Sequence, residues 1–357
     1  THTMTAPNIT TARTPTRSPN AQWIVFSSNR DGNWELYLAP TNGDASLIRR
    51  LTYNTVAKDT DPVWGPNNTV VYETTRDGNW ELYLLDMTTG KDRRLTNNPA
   101  SDINAYWSTD GKKLLFQSNR SGLWQIYELD IATNVVKQLS DGKANDVDGQ
   151  YSNDSSRISF RSYRDGAKST LYIMNADGSG LKRISDVKGD ATNQSWSTDD
   201  SLIAYQSDLD GDLDIYVYQV GTGITRKLTN NKIPDYAPTW LCNGTIVIFT
   251  SDVDGNPNIF DADAVSITAP AIDVQKDAQR LTTDPAADVY PENAPVEENA
   301  SREGHLPGMN LGDQTDFLIP DVTVTKVDRS LDTGKAWEPM DACAVDSSED
   351  KEKPKGT

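Results

Sequence analysis

The chain has 357 residues, only 36% of them hydrophobic, and its 52 acidic side chains against 34 Lys and Arg leave a net charge of −18. Nucleic acid and anionic membrane surfaces repel a chain this acidic, so both are set aside as partners, while cations and basic surfaces are favoured. No run approaches the roughly 18 apolar residues of a membrane helix, and the length suits two ordinary domains or one large all-β unit.

Residues 1–20 are rich in Thr and Pro and read as an extended polar arm. A repeat then begins. SSNRDGNWELY (27–37) is followed by ETTRDGNWELY (73–83), QSNRSGLWQIY (117–127), RSYRDGAKSTLY (161–172), SDLDGDLDIY (207–216) and TSDVDGNPNIF (250–260). The central glycines, Gly32, Gly78, Gly122, Gly166, Gly211 and Gly255, recur every 44–46 residues. Each unit holds four short segments. The first approaches an aromatic, as in DTDPVW (59–64), DINAYW (102–107) and DYAPTW (235–240). The second is an apolar run ending in an aromatic: Phe26, Tyr72, Phe116, Phe160, Tyr205 and Phe249. The third carries Tyr37, Tyr83, Tyr127, Tyr172, Tyr216 and Phe260, and the fourth ends in a triplet such as RLT (50–52, 94–96, 280–282).

Alternating apolar and polar residues with frequent β-branched and aromatic side chains are strand signals. Asp, Asn and Gly between the runs tolerate the positive φ of tight hairpins. Four strands per unit of about 44 residues is the arithmetic of a propeller blade, and six units predict an all-β, six-bladed β-propeller of four-stranded antiparallel blades over 21–293. DVYPEN (288–293) fits the inner-strand approach with no outer strands after it, so it is expected to close the ring beside 22–52. TPTRSPN (14–20) competes for that place. Residues 294–357 lose the repeat and form an acidic tail, whose one strong strand candidate is FLIPDVTVTKV (317–327).

The RDGNWELY…RRLT…DPVW pattern resembles the repeats of TolB-type propellers, found in exported bacterial proteins. The resemblance covers about residues 21–293 and implies fold rather than function. TolB carries an α/β domain before its propeller. About twenty polar residues precede the first unit here, so the expectation is a TolB-like propeller other than TolB, extracellular or periplasmic.

Catalysis is not expected. His2 and His305 both lie outside the repeats, so no Ser-His-Asp triad can be built within the blades. There is no Gly-x-Ser-x-Gly elbow and no His- or Cys-rich zinc cluster. A carboxylate-only mechanism on glycans stays compatible with so many acids.

The strongest binding signal is SDLDGDLDIY, where Asp208, Asp210, Asp212 and Asp214 flank Gly211. Hard cations such as calcium take several carboxylate or carbonyl oxygens, and four carboxylates at one hairpin tip repel without one. The sixth unit keeps oxygen donors at the same places with Asp252, Asp254, Asn256 and Asn258. The competing reading is a hairpin that needs Asp-Gly for its geometry alone.

Asp59, Asp102, Asp146, Asp235 and Asp288 share one place before the inner strand and are expected either to ring the channel mouth or to cap their own turns. Trp34, Trp80 and Trp124 follow the hairpin glycine in three successive units and read either as an exposed partner-binding arc or as packing between blades. Cys242 and Cys343 are expected to form a disulfide pinning the tail if the protein is exported. The function expected is a binding or scaffolding module with structural Ca2+ and a protein partner. The alternatives are a subunit that assembles with copies of itself and a module or enzyme that acts on polysaccharide.

Overall fold

The computed structural model describes residues 12–281, apart from 21, 43, 242–243, 254, 256 and 265–268. Six four-stranded antiparallel sheets follow one another, each with its strands in sequence order. They are the six blades predicted. Blade one comprises Ala12–Arg17, Trp23–Ser28, Glu35–Pro40 and Arg49–Arg50. Blade two comprises Asp59–Gly65, Thr69–Thr74, Glu81–Asp86 and Lys91–Arg94. Blade three runs from Asp102–Trp107 through Lys113–Ser118 and Gln125–Asp130 to Val136–Gln138. Blade four is built from Asp146–Tyr151, Arg157–Ser162, Thr170–Asn175 and Lys182–Arg183. Blade five holds Ala191–Trp196, Leu202–Ser207, Asp214–Gln219 and Thr225–Lys227. Blade six holds Asp235–Trp240, Ile246–Ser251, Asn258–Asp263 and Gln279–Arg280.

The two central strands of blades one to five are largely buried on both faces, which is why second runs such as TVVYET and KLLFQS are rich in apolar residues. The paired aromatics of the repeat are cross-strand partners. Phe26 faces Tyr37, Phe116 faces Tyr127 and Tyr205 faces Tyr216, with ring centroids 5.7–5.8 Å apart. Alternate residues point to opposite neighbours. In blade two, Val71 and Leu82 pack toward blade three, while Val70, Tyr72 and Tyr83 pack toward blade one. Similar apolar clusters join blades three and four, four and five, and five and six.

Every inner strand carries a register shift against its neighbour. In five of them a non-glycine residue at this bulge takes a left-handed φ: Asp61, Asn104, Asp148, Asn193 and Ala237. The bulge turns a backbone N–H toward the preceding blade. Asn104 N–H donates to Glu73 (2.6 Å), Asp148 N–H to Gln117 (3.0 Å) and Ala237 N–H to Gln206 (2.8 Å). One repeated hydrogen bond thus ties blade three to blade two, blade four to blade three and blade six to blade five.

The inner strand of blade one is a correction. Ala12–Arg17 pairs with Trp23–Ser28, with Ala12 opposite Ser28 and Arg17 opposite Ile24. The segment read as an extended polar arm is therefore in part a strand, and the N-terminal candidate that overlaps TPTRSPN (14–20), rather than 288–293, holds the place beside Trp23–Ser28. The physical reason is that ARTPTR supplies the same extended run with a proline at the bulge that DTDPVW supplies in blade two. Residues 288–293, the acidic tail, Cys242 and Cys343 lie outside the described residues.

Candidate metal centre at the tip of blade five

The hairpin between the second and third strands has the same turn in blades one, two and five. Gly32, Gly78 and Gly211 take φ of +90°, +96° and +116°, and each donates its N–H to the carbonyl three residues back. The side chains around that turn differ, and blade two is the reference. Glu81 is fully buried and accepts from the Thr96 hydroxyl, from Asn98 N–H (2.8 Å) and from the Arg94 guanidinium (3.0 Å). The Asn79 side-chain amide donates to Glu81 (3.0 Å) and to the backbone carbonyls of Asn98 (2.8 Å) and Ala100 (2.7 Å). Blade one repeats this with Glu35, Thr52, Arg50 and Asn33. Every acceptor there faces a donor.

Blade five changes three members together. Asp214 replaces the glutamate, Lys227 the arginine and Asp212 the asparagine. The first two changes shorten the side chains. The third turns a donor into an acceptor. Asp210, Asp212 and Asp214 bring one carboxylate oxygen each within 4.8 Å of one another. Lys227 Nζ contacts Asp210 and lies 2.8 Å from Asp214, so one ammonium serves two of the three carboxylates. One oxygen of Asp212 is buried and has no hydrogen-bond partner among the described residues.

The electrostatics record the imbalance. Burial pushes the fully enclosed Asp214 carboxyl up to about 7; Lys227 opposes this and the neighbouring Asp212 and Asp210 charges add to it. Asp235, which opens the next inner strand, is likewise raised by burial to about 6, with hydrogen bonds from Ser251, Thr229 and Asn231 opposing. Burial also acts against Asp210, but Lys227 and the Tyr216 hydroxyl hold it below the usual carboxylate range. An all-oxygen donor set of this charge fits a hard divalent cation such as Ca2+ and gives zinc no nitrogen or sulfur.

Other predicted residues are placed differently. Asp208 turns away from the cluster. It accepts from Lys168 of blade four (2.9 and 3.0 Å) and from Asp190 N–H, so three of the four aspartates converge rather than all four. In blade six, Asn258 is buried and accepts from Arg280 (2.7 Å), while Asp252 accepts from the Tyr236 hydroxyl (3.0 Å). Those two donors are already committed, and Asp254 and Asn256 lie outside the described residues.

The aspartates expected either to ring a channel mouth or to cap their own turns are enclosed and paired. Asp59, Asp102, Asp146 and Asp235 are all fully buried. Arg76 lies 3.6 Å from Asp59, Arg120 2.7 Å from Asp102 and Arg164 2.8 Å from Asp146. Asn231 donates to Asp235 (2.7 Å). Each arginine also stacks on a third-strand tyrosine, as Arg120 does on Tyr127 at 4.8 Å. Buried carboxylates persist only when paired, and these acids hold blades together. Asp288 lies outside the described residues.

Of the two readings of the tryptophans, the exposed arc is corrected and packing between blades holds for Trp80 and Trp124. Trp80 and Trp124 are buried in a cluster with Ile103 and Val147, and Trp34 is half-buried. Sequence reasoning missed Lys227 and the hairpin arginines. The available signal was an Arg two places before the hairpin glycine in the first four units, paired with an Asp opening the inner strand in three of them.

The sequence pattern of the TolB beta propeller domain matches residues 67–161. No curated protein sequence matches the chain. Among solved structures, TolB from Acinetobacter baumannii is similar at 21% identity with a TM-score of 0.50, over 71% of this chain and 60% of that one. An oligogalacturonate lyase in complex with manganese is similar at 16% identity with a TM-score of 0.62, over 80% and 82%. A puromycin-hydrolyzing peptidase from Mycobacterium tuberculosis is similar at 13% identity with a TM-score of 0.60, over 76% of this chain and 44% of that one. At these identities the likeness is one of fold. Among the described residues, no helix is long and apolar enough to cross a membrane.

Proposed function

Because the chain is a TolB-like six-bladed β-propeller, we propose that it is a non-enzymatic binding or scaffolding module whose blade-five tip is locked by a bound calcium ion. One observation carries the metal: three carboxylates converge within 4.8 Å at a tip where other blades place an amide and an arginine. Asp210, Asp212 and Asp214 would hold the ion. Its charge would neutralise the acids that Lys227 leaves uncompensated, so the ion acts by fixing the hairpin.

The non-enzymatic part rests on the use made of polar groups within the blades. Away from the blade-five tip, buried acids such as Asp102, Asp146 and Glu81 are each paired with an arginine, and Glu81 also with a hydroxyl and a backbone N–H. The lyase and peptidase neighbours are enzymes, and this reading differs from theirs. A protein partner, or copies of the same chain, is the class we assign to the binding surface, outside the cytoplasm by analogy with envelope propellers of this type.

The test is thermal unfolding of the full chain in calcium and in chelator, with calcium binding followed by calorimetry. An ion that binds only the folded state adds about 2.7 kcal/mol of apparent stability at a hundredfold excess over its Kd. A midpoint that does not change between calcium and chelator, with no binding heat, would sink the metal reading.

A further inference from the structure

Four blades seat an arginine in the same way. Arg30, Arg76, Arg120 and Arg164 lie over the third-strand tyrosines Tyr37, Tyr83, Tyr127 and Tyr172, 4.4–4.8 Å from the ring centroids. Each donates its Nε–H to the hydroxyl two residues before it, on Ser28, Thr74, Ser118 or Ser162, at 2.9–3.2 Å. In blade two the guanidinium also donates to the Tyr72 hydroxyl (2.6 Å) and pairs with Asp92 of the outer strand (2.7 Å). The seat is a ring face with oxygen acceptors beside it, and its occupant is a planar donor.

Blade five keeps the seat without the arginine. Ser207 holds the hydroxyl position, and Tyr205 and Tyr216 stack with centroids 5.7 Å apart. Leu209 stands in the arginine's place and brings neither charge nor donor. The counterpart of Asp92 is Thr225, which lies beside the Tyr205 hydroxyl. An open cleft of about 550 Å³ lies there, lined by Tyr205, Ser207, Leu209 and Tyr216. A second observation points to a ligand. Tyr218 lines the same cleft and is 2% exposed, and its hydroxyl has no hydrogen-bond partner among the described residues. Buried hydroxyls are ordinarily bonded. Blade six also loses the arginine, to Val253, but its rings are Phe249 and Phe260 and carry no hydroxyl.

The lining selects the occupant. Ser207, Tyr205, Tyr218 and Thr225 offer hydroxyl oxygens around an aromatic face, and a guanidinium has five donors and no acceptor. The cations nearby do not oppose it. Lys227 is committed to Asp210 and Asp214. In the occupied seats, Tyr37, Tyr83 and Tyr172 each have an outer-strand arginine close by as well as the seated one: Arg50, Arg94 and Arg183. Lys182 lies 5.6 Å from the centroid of the Tyr218 ring, so that face already carries a cation. The cleft opens between Lys182–Arg183 and Thr225–Lys227, the strands that end the sheets of blades four and five, where a segment of another protein can reach it. The net charge of −18 draws basic partners toward the chain.

We propose that this cleft receives an arginine side chain of a partner protein, its guanidinium lying on Tyr216 and donating to Ser207 and Tyr205. The inference rests on the binding-module reading for the source of the arginine. Tyr216 and Lys227 also belong to the calcium tip, so calcium is held constant in the test.

The test is calorimetric titration of the full chain, in saturating calcium, with a capped Gly-Arg-Gly peptide and with its citrulline analogue, which keeps the shape without the charge. The arginine peptide should bind at least about tenfold more tightly. Leu209→Arg supplies the side chain from within, as four blades already do, and should abolish that binding. Thr225→Asp rebuilds the blade-two carboxylate at an exposed position and should tighten the arginine peptide about tenfold while leaving the citrulline peptide unchanged. No binding, equal binding of the two peptides, or arginine-peptide binding that Thr225→Asp does not tighten overturns the proposal. Should Leu209→Arg fold poorly, Thr225→Asp carries the test alone. A chain with no protein partner would still bind the arginine peptide, and the calcium reading is judged by the chelator-dependent midpoint, so the failures are distinguishable.

Discussion

Asp212 stands in blade five where Asn79 stands in blade two, so a carboxylate takes the place of an amide that donates to Glu81, Asn98 and Ala100. One atom changes identity, and a satisfied tip becomes one with surplus acceptors.

Asp212→Asn should reverse that change. The restored amide can donate to Asp214, and one of three converging charges is removed. In chelator the variant is expected to be more stable than the parent by about 1 to 2 kcal/mol, the usual scale for satisfying a buried polar group. Its midpoint should no longer respond to calcium. Urea unfolding with and without calcium checks both points, and a variant that still gains stability from calcium would remove Asp212 from the site.

The raised Asp214 carboxyl sets a pH dependence. Its folded value of about 7 lies above the ordinary aspartate value of 3.8, so the folded state binds the proton more tightly. In chelator the stability it contributes is complete below pH about 4 and is lost as pH rises through about 7. Asp214→Asn should remove this dependence, so the difference in stability between the two proteins changes across that window. Midpoints measured from pH 5 to 8 in chelator give the comparison, and parallel curves would contradict the assignment.

Removing Asp102 leaves Arg120 beside a fully buried site without its partner. Asp102→Ala should cost about 3 kcal/mol, the lower end of the range for breaking a buried pair, because the arginine keeps some contact with water. A loss below about 1 kcal/mol in denaturant unfolding would place the pair among weak surface bridges.

Trp124 is 2% exposed and packs with Trp80, Ile103 and Val147. Trp124→Ala should therefore destabilise the fold by about 3 to 5 kcal/mol. Leu123→Ala, at a neighbouring position that is 38% exposed, should change stability by less than about 0.5 kcal/mol. Equal effects from the two would return Trp124 to the surface.

The strands, the aromatic pairs and the hairpin glycines were legible because each depends on residues near in sequence. Alternation selects a strand, and Asp-Gly selects a turn with positive φ. The cation candidate was legible as far as the run of aspartates goes. Asp208 was assigned to it wrongly, because its partner Lys168 comes from another blade. Lys227 was missed because it lies 13 residues beyond Asp214 on the outer strand.

The repeat, the number of blades and the place in each unit where acids collect follow from the order of residues alone. Which acids face an arginine, which face one another and which tryptophans are enclosed depends on how the blades pack. The reason is physical. The direction of a side chain follows from the local backbone, but its burial and its counter-charge come from the blade packed against it, about 44 residues away along the chain.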